Sequence, residues 1–373
     1  MIDRLLENKI TGKINKGKAI ILLGARQVGK TTLLEKIFLK NKDVLWLSGD
    51  SPDVQALFNS PSADRLRLYF GNKKIVIIDE AQLLPETGLR LKLITDYIKE
   101  VQLIATGSSS FELSNTLNEP LTGRKWEYKM FPLSFEELVN HHGLLTEKRA
   151  INHRLVYGYY PDVINHPGEE KTILKLLTDS YLYKDILMLE NIKKPEKIVR
   201  LLQALSYQIG SQVSFNELGQ LCGLDNKTTE KYITLLEKAY VVFRLGSFSR
   251  NLRNELKFSR KIYFFDLGIR NALISDYTLA ENRPDIGALW ENFLVAERLK
   301  KNTYDENWTN SWFWRTTEHQ EIDYIEETGG TLNAYEFKWN PGKNIRVSKT
   351  FTKTYPDANF KIIHLNNMEE FLL

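Results

Sequence analysis

The stretch Gly24-Ala25-Arg26-Gln27-Val28-Gly29-Lys30-Thr31 meets the pattern G-x-x-x-x-G-K-[ST] at every fixed position, and the apolar run Ala19-Ile20-Ile21-Leu22-Leu23 leads straight into it. A strand that enters a glycine-bearing loop and leaves as a helix, here from Thr32 onward, is the setting in which this pattern cradles phosphate. Backbone N–H groups along the loop curl around a β-phosphate, and the helix start adds the positive end of its dipole. Lys30 then reaches the β- and γ-phosphates as a catalytic cation, while the Thr31 hydroxyl ligates Mg2+. The expected ligand is a nucleoside triphosphate, ATP, with Mg2+.

At 373 residues the chain has room for two or three domains with cores of their own. Its 42% apolar and 26% charged residues are those of an ordinary soluble globular protein, which sets aside a disordered reading. With 51 basic against 47 acidic residues, the net charge of +4 permits a nucleic-acid partner without demanding one. The single cysteine, Cys222, excludes a disulfide framework or a cysteine-based zinc cluster and is read as a small core residue. No apolar stretch approaches the roughly 18 residues of a membrane helix, and no secretory segment opens the chain. The expected setting is cytoplasmic, without a membrane partner.

Three parts follow from the patterning. Residues 1–131 alternate apolar strands (19–23, 44–48, 75–79, 101–106, 126–130) with amphipathic helices (30–40, 53–59, 62–70, 87–99), the mark of a parallel α/β sheet. Residues 132–280 are mostly helical, with long periodic stretches at 169–190 and 196–209. Residues 281–373 return to α/β, with a helix at 285–301 and strands near 311–315, 321–326, 332–339 and 360–364.

Ile75-Val76-Ile77-Ile78-Asp79-Glu80 is an apolar strand ending in two carboxylates. Beside a phosphate loop, Asp79 holds Mg2+ through water, and Glu80 polarises the water that attacks the γ-phosphate. Val101-Gln102-Leu103-Ile104-Ala105-Thr106 runs into Gly107-Ser108-Ser109-Ser110. Ser108 is the first choice for sensing the γ-phosphate, with Ser109 and Ser110 as alternatives. A strand between these motifs implies the additional-strand class of P-loop ATPases, which includes the AAA+ group. Arg124, which follows that strand, either stabilises the transition state, in cis or from a neighbouring subunit, or pairs with a carboxylate. Action in trans calls for a homo-oligomer.

Taken together, these motifs resemble an AAA-like P-loop ATPase family of bacteria and archaea whose C-terminal domain is of the DUF4143 type. The resemblance rests on Leu23-Gly24-Ala25-Arg26-Gln27-Val28-Gly29-Lys30-Thr31-Thr32, Ile77-Ile78-Asp79-Glu80-Ala81-Gln82, Thr106-Gly107-Ser108-Ser109-Ser110, Leu121-Thr122-Gly123-Arg124 and Phe131-Pro132-Leu133-Ser134-Phe135-Glu136-Glu137. Gly158-Tyr159-Tyr160-Pro161 and Tyr263-Phe264-Phe265-Asp266-Leu267-Gly268 look like later landmarks of the same family. It implies an AAA+-like ATPase domain in front and covers nearly the whole chain.

In the middle, 214–224 reads as a short helix ending at Gly223, and 227–239 as a second helix with Asn226 as its N-cap. Two apolar runs, 241–245 and 261–265, then look like paired strands. Helix–turn–helix plus hairpin is the winged-helix arrangement, expected over about 196–270, with the second helix in a DNA major groove. Lys227 and Lys231 on that helix would contact DNA. Arg244, Arg250, Arg253, Lys257, Arg260 and Lys261 form a basic wing against Glu255 alone, which would give salt-sensitive binding. The other reading is a nucleotide-responsive lid with a solvated basic loop.

Late in the chain come Glu291 on a helix, Asp323 on a short strand, and Glu336 and Lys338 on another strand, sharing a face by alternation. Their order resembles the restriction-endonuclease-like nuclease core. There Asp323 and Glu336, completed by Glu291, hold a second Mg2+, and Lys338 steadies the developing charge. The same fold also serves as a non-catalytic holding domain. His319 and Glu321 flank this site; His319 is read as a surface or hydrogen-bonded histidine, and Trp308, Trp312, Trp314 and Trp339 as core and rim aromatics. Two functions remain: an ATP-driven protein that binds or processes duplex or branched DNA, and an ATP-dependent switch that binds a protein partner.

Overall fold

The computed structural model describes residues 1–108, 121–182, 195–249, 260–316, 318–340 and 348–373. Ser109, Ser110, Arg250, Arg253, Glu255 and Lys257 lie outside them. Residues 1–132 form one compact unit, and most of residues 133–373 form another. Among the described residues, no helix is long and apolar enough to cross a membrane.

Among its described residues the first unit is built on five parallel strands: β1 (Ala19–Leu23), β2 (Val44–Ser48), β3 (Ile75–Asp79), β4 (Gln102–Gly107) and β5 (Lys125–Lys129), in the order β2-β3-β4-β1-β5. Strands buried on both faces read as unbroken apolar runs. Every residue of β1 is buried, as befits a strand with neighbours on both sides. β4 lies between β1 and β3, the inserted strand that the motif order called for. Because all five strands run the same way, their C-terminal ends share one edge, where β1 hands over to the helix Lys30–Phe38.

Among its described residues the second unit carries seven strands: β6 (Gln212–Val213), β7 (Val242–Ser247), β8 (Arg260–Phe264), β9 (Asn310–Arg315), β10 (Glu321–Thr328), β11 (Thr331–Phe337) and β12 (Asn359–Ile363). Their order is β12-β11-β10-β9-β7-β8-β6. The parallel pairing Gly246↔Trp312 and Ser247↔Phe313 makes the central hairpin and the C-terminal strands one sheet. The boundary expected at 280/281 therefore falls inside a single sheet.

Helix Pro195–Tyr207, β6, helices Phe215–Cys222 and Asn226–Lys238, then β7 and β8 follow one another in that order. The second helix of the pair is capped by Asp225, whose carboxylate accepts from the Thr228 N–H at 2.9 Å. This corrects the expectation for Asn226, which lies inside the helix. Cys222 is buried.

Three family landmarks prove to be joints of this unit. Ser134 and Glu137 form a reciprocal capping box on helix Phe135–His142. Asp266 accepts from the Tyr159 N–H at 2.6 Å and from Ile269 N–H at 3.1 Å. Gly158 must be glycine because its φ is +75° and a Cβ there would run into the Asp266 carboxylate. Trp308 departs from the expected aromatic core: it is 93% exposed, whereas Trp314 is buried and Trp339 meets Trp290 edge-on at 5.4 Å.

Candidate functional site

At the C-terminal edge of the parallel sheet, Gln27 (φ 58°) and Gly29 (φ 95°) take left-handed backbone and curl the loop between β1 and its helix. Gly24, Ala25, Val28 and Lys30 are buried, Arg26, Gly29 and Thr31 half-buried, and Gln27 and Thr32 exposed. The Lys30 ammonium donates to the carbonyls of Gly24 and Ala25, both at 2.9 Å, so it sits within the loop. Arg4 fastens the loop from outside, donating to Val28 O at 2.6 Å and Phe131 O at 2.7 Å.

Thr31 donates to Asp79 Oδ2 at 2.8 Å, and Thr106 donates to Asp79 Oδ1. Glu80, next along, has φ 49°, and its N–H donates to Thr106 Oγ1 at 3.2 Å. Gln82 Nε2 donates to Glu80 Oε2 and, at 3.1 Å, to the buried Ser108 hydroxyl. A hydroxyl and a carboxylate side by side at a helix start are oxygen donors of the kind Mg2+ takes, and the loop fits a polyphosphate.

Arg124 lies elsewhere. The register Ala19↔Lys125 puts it at the opposite edge of the sheet, where its carbonyl accepts from Ala19 N–H at 2.9 Å. Five strand residues at about 3.3 Å each part it from the loop. This removes the cis reading. Its Nε donates to Asp96 at 2.6 Å.

The second unit gathers another charged group. Glu291, on helix Ile286–Tyr304, is held against β8 because its neighbour Asn292 bonds both the N–H (2.7 Å) and the carbonyl (2.8 Å) of Phe264. Glu291 Oε1 accepts from Lys261 at 2.7 Å and from the Tyr263 hydroxyl at 2.6 Å. Lys261, 1% exposed, also pairs with Glu321. Carboxylate oxygens of Glu291, Glu321 and Asp323 lie within 4.8 Å of one another. Asp323 accepts from Phe337 N–H at 2.7 Å, and Glu336 pairs with Lys338 at 2.7 Å. Lys261 is thus a core residue and not the wing cation expected.

Burial, with the Asp323 charge, lifts Glu291 to about 7 even against Lys261. Burial and the Glu336 charge lift Asp323 to about 6. Burial opposes the charge on Lys261, but Glu291, Glu321 and Asp323 together hold its ammonium above the ordinary lysine range. His319 lies at the rim with Nδ1 2.8 Å from Arg315.

On the helix pair, Lys227 and Lys231 are exposed, four residues apart on one helix. Arg260 pairs with Glu230 at 3.3 Å and lies over the Phe215 ring. Arg244 pairs with Glu237 at 3.0 Å.

A profile described as an AAA domain matches residues 16–139, and one described as domain of unknown function DUF4143 matches 286–371. The chain thus carries an AAA domain followed, at 286–371, by a DUF4143 domain. Between the two matches, a profile described as domain of unknown function DUF8612 covers 148–279. An uncharacterized protein of Haemophilus influenzae is 25% identical over 312 residues, 78% of this chain and 74% of that one. An uncharacterized protein of Methanocaldococcus jannaschii is 24% identical over an alignment of 392, 98% of this chain and 86% of that one. Among solved structures, the fold is similar to that of a Walker-type ATPase of Pyrococcus abyssi: TM-score 0.51 at 16% identity, covering 74% of this chain and 96% of that one.

Within the first unit, sequence reasoning missed Arg4, Thr106 as the partner of Asp79, and Gln82. Only Gln82 left a signal, standing two places after the acidic pair. In the second unit it placed Glu321 at the flank of the site rather than as a partner of Lys261, and it misplaced Lys261. Strand alternation held the clue, since it puts Lys261 and Tyr263 on one face.

Proposed function

We propose that this AAA-like ATPase hydrolyses ATP and uses the cycle to change its hold on DNA. The hydrolytic half rests on one arrangement: Thr31 and Asp79 joined at 2.8 Å, with Glu80 the next residue. Lys30 binds the β- and γ-phosphates, and the Gly24–Thr32 backbone orients them. Thr31 and Asp79 would hold Mg2+, which would neutralise charge along the polyphosphate. Glu80 accepts a proton from the water that attacks the γ-phosphorus, and the bridging oxygen leaves with ADP. Ser108 senses the γ-phosphate. Arg124 acts from a neighbouring subunit, which makes the working form a homo-oligomer.

The DNA half rests on the helix pair and hairpin read as a winged helix, with Lys227 and Lys231 presented on the second helix. Arg250, Arg253, Lys257 and Arg260 extend that reading to the wing. The carboxylate cluster supports a non-catalytic role. Lys261 already supplies the cation among Glu291, Glu321 and Asp323, so a resident Mg2+ does not fit there without displacing it. Asp323, Glu336 and Lys338 are accordingly read as structural and not as a cleavage centre.

Binding of duplex DNA by the Glu80→Gln variant, measured by fluorescence anisotropy in ATP and in ADP, tests this reading. Affinities about tenfold or more apart are expected. Equal affinities, or no binding, would turn the reading toward a switch that binds a protein partner. That second reading draws support from Glu230 and Glu237, which neutralise Arg260 and Arg244 on the surface offered to DNA.

A further inference from the structure

We infer that Gln82 is a positioning residue that holds the Glu80 carboxylate and ties it to Ser108, so that the water-activating group and the end of β4 act as one unit. The inference rests on the reading that ATP is hydrolysed at this site. Gln82 stands in the single turn Ala81–Leu83 that follows Glu80. Glu80 itself is held in left-handed backbone, φ 49°, a conformation that a non-glycine residue adopts at a cost and that aims its side chain differently from a continuing strand.

The side-chain amide of Gln82 has two N–H groups, and each finds an acceptor. One goes to Glu80 Oε2, the other to Ser108 Oγ at 3.1 Å. A carboxylate cannot donate to a second carboxylate and a lysine has no fixed fork, so a primary amide is the group that spans this pair. Its Oε1 is buried with no hydrogen-bond partner among the described residues. A buried orphan acceptor is costly, and the geometry is therefore chosen for what the two N–H groups hold.

The backbone makes the same connection. Thr106 accepts from Glu80 N–H at 3.2 Å while donating to Asp79. Two alternate residues of one strand edge, Thr106 and Ser108, are thus wired to the metal-side carboxylate and, through Gln82, to the base. When a phosphate oxygen engages Ser108, the Gln82 bond to that hydroxyl changes, and the Glu80 carboxylate moves or locks with it. A truncated Gln82 leaves the phosphate loop and the Thr31–Asp79 pair untouched, so nucleotide affinity stays while turnover falls.

The test uses full-length protein. Wild type and Lys30→Ala are assayed first for ATP hydrolysis; a wild type that shows no Lys30-dependent turnover overturns the hydrolysis reading and this inference with it. Given turnover, Gln82→Ala is expected to lower kcat by about 10- to 100-fold, the range of a displaced general base, with KM and the Kd for a fluorescent ATP analogue within about threefold. Gln82→Asn, which keeps the amide but shortens its reach, is expected to recover part of the loss, and Gln82→Glu none of it. Ser108→Ala added to Gln82→Ala is expected to cost much less than Ser108→Ala alone, because the two residues act through one link. A Gln82→Ala kcat within twofold of wild type, a KM rise at unchanged kcat, or additive losses in the double variant would overturn the inference. Retained analogue binding reports that the variants are folded.

Discussion

The Thr31 hydroxyl donates to Asp79 Oδ2 at 2.8 Å although 48 residues separate them in sequence and β4 lies between their strands. Parallel strands bring this about. β1 and β3 end at the same edge of the sheet, so a helix leaving β1 starts where β3 delivers its carboxylates. Glu80, one residue beyond Asp79, follows without belonging to the loop, so the proposed mechanism assigns phosphate binding and water activation to different segments.

That separation can be measured. Glu80→Gln is expected to keep ATP affinity within a few-fold while lowering kcat by about 10²–10⁴-fold, the usual worth of a general base. Equilibrium binding and steady-state hydrolysis on the same preparation check it. Loss of affinity in step with turnover would make Glu80 a binding residue.

Arg124 lies at the sheet edge opposite the loop and pairs with Asp96. If it serves a neighbour, Arg124→Ala and Lys30→Ala are each inactive alone, but a mixture regains activity at interfaces where an intact Arg124 meets an intact loop. A mixture as inactive as its components contradicts the role in trans.

Lys227 and Lys231 carry the DNA half of the proposal. Replacing both with glutamate is expected to weaken duplex binding and to lower the slope of log affinity against log salt by about 2, one for each phosphate no longer neutralised. An unchanged slope places the DNA-binding surface elsewhere.

The buried cluster gives a pH dependence whose sign follows from Glu291. Its folded value of about 7 lies above the ordinary 4.5, so the folded state holds that proton more tightly than the unfolded chain. The resulting stability is full below about pH 4.5, falls as pH rises, and is gone above about 7, on the order of 3 kcal/mol at most. Asp323, lifted to about 6 from 3.8, acts in the same direction. The thermal midpoint is expected to drop between about pH 5 and about pH 8, and Glu291→Gln to flatten the drop. A midpoint that rises over this range contradicts the assignment.

The nucleotide site was legible in sequence because its parts are local. A contiguous loop and an acidic pair at the end of an apolar strand declare themselves without knowledge of the fold, and the motif order called for the added strand β4, though not for the full order of the sheet. Thr106 and Gln82 were not legible as partners, because which side chain faces Asp79 or Glu80 is decided by the placement of β4 and by the left-handed turn at Glu80. Lys261 was misread for a different reason. A run of arginines and lysines looks solvated, and only the clamp of Asn292 on Phe264, which brings Glu291 over β8, turns Lys261 inward. The pairing of β7 with β9, likewise, joins segments whose sequences give no sign of each other.

The central claim, that ATP turnover and DNA engagement are linked, is tested most directly by ATP hydrolysis with and without duplex, single-stranded and four-way DNA, alongside Lys30→Ala. The account predicts hydrolysis that one DNA form stimulates and that Lys30→Ala abolishes, by about 10²-fold or more. Steady hydrolysis indifferent to every DNA form would contradict it.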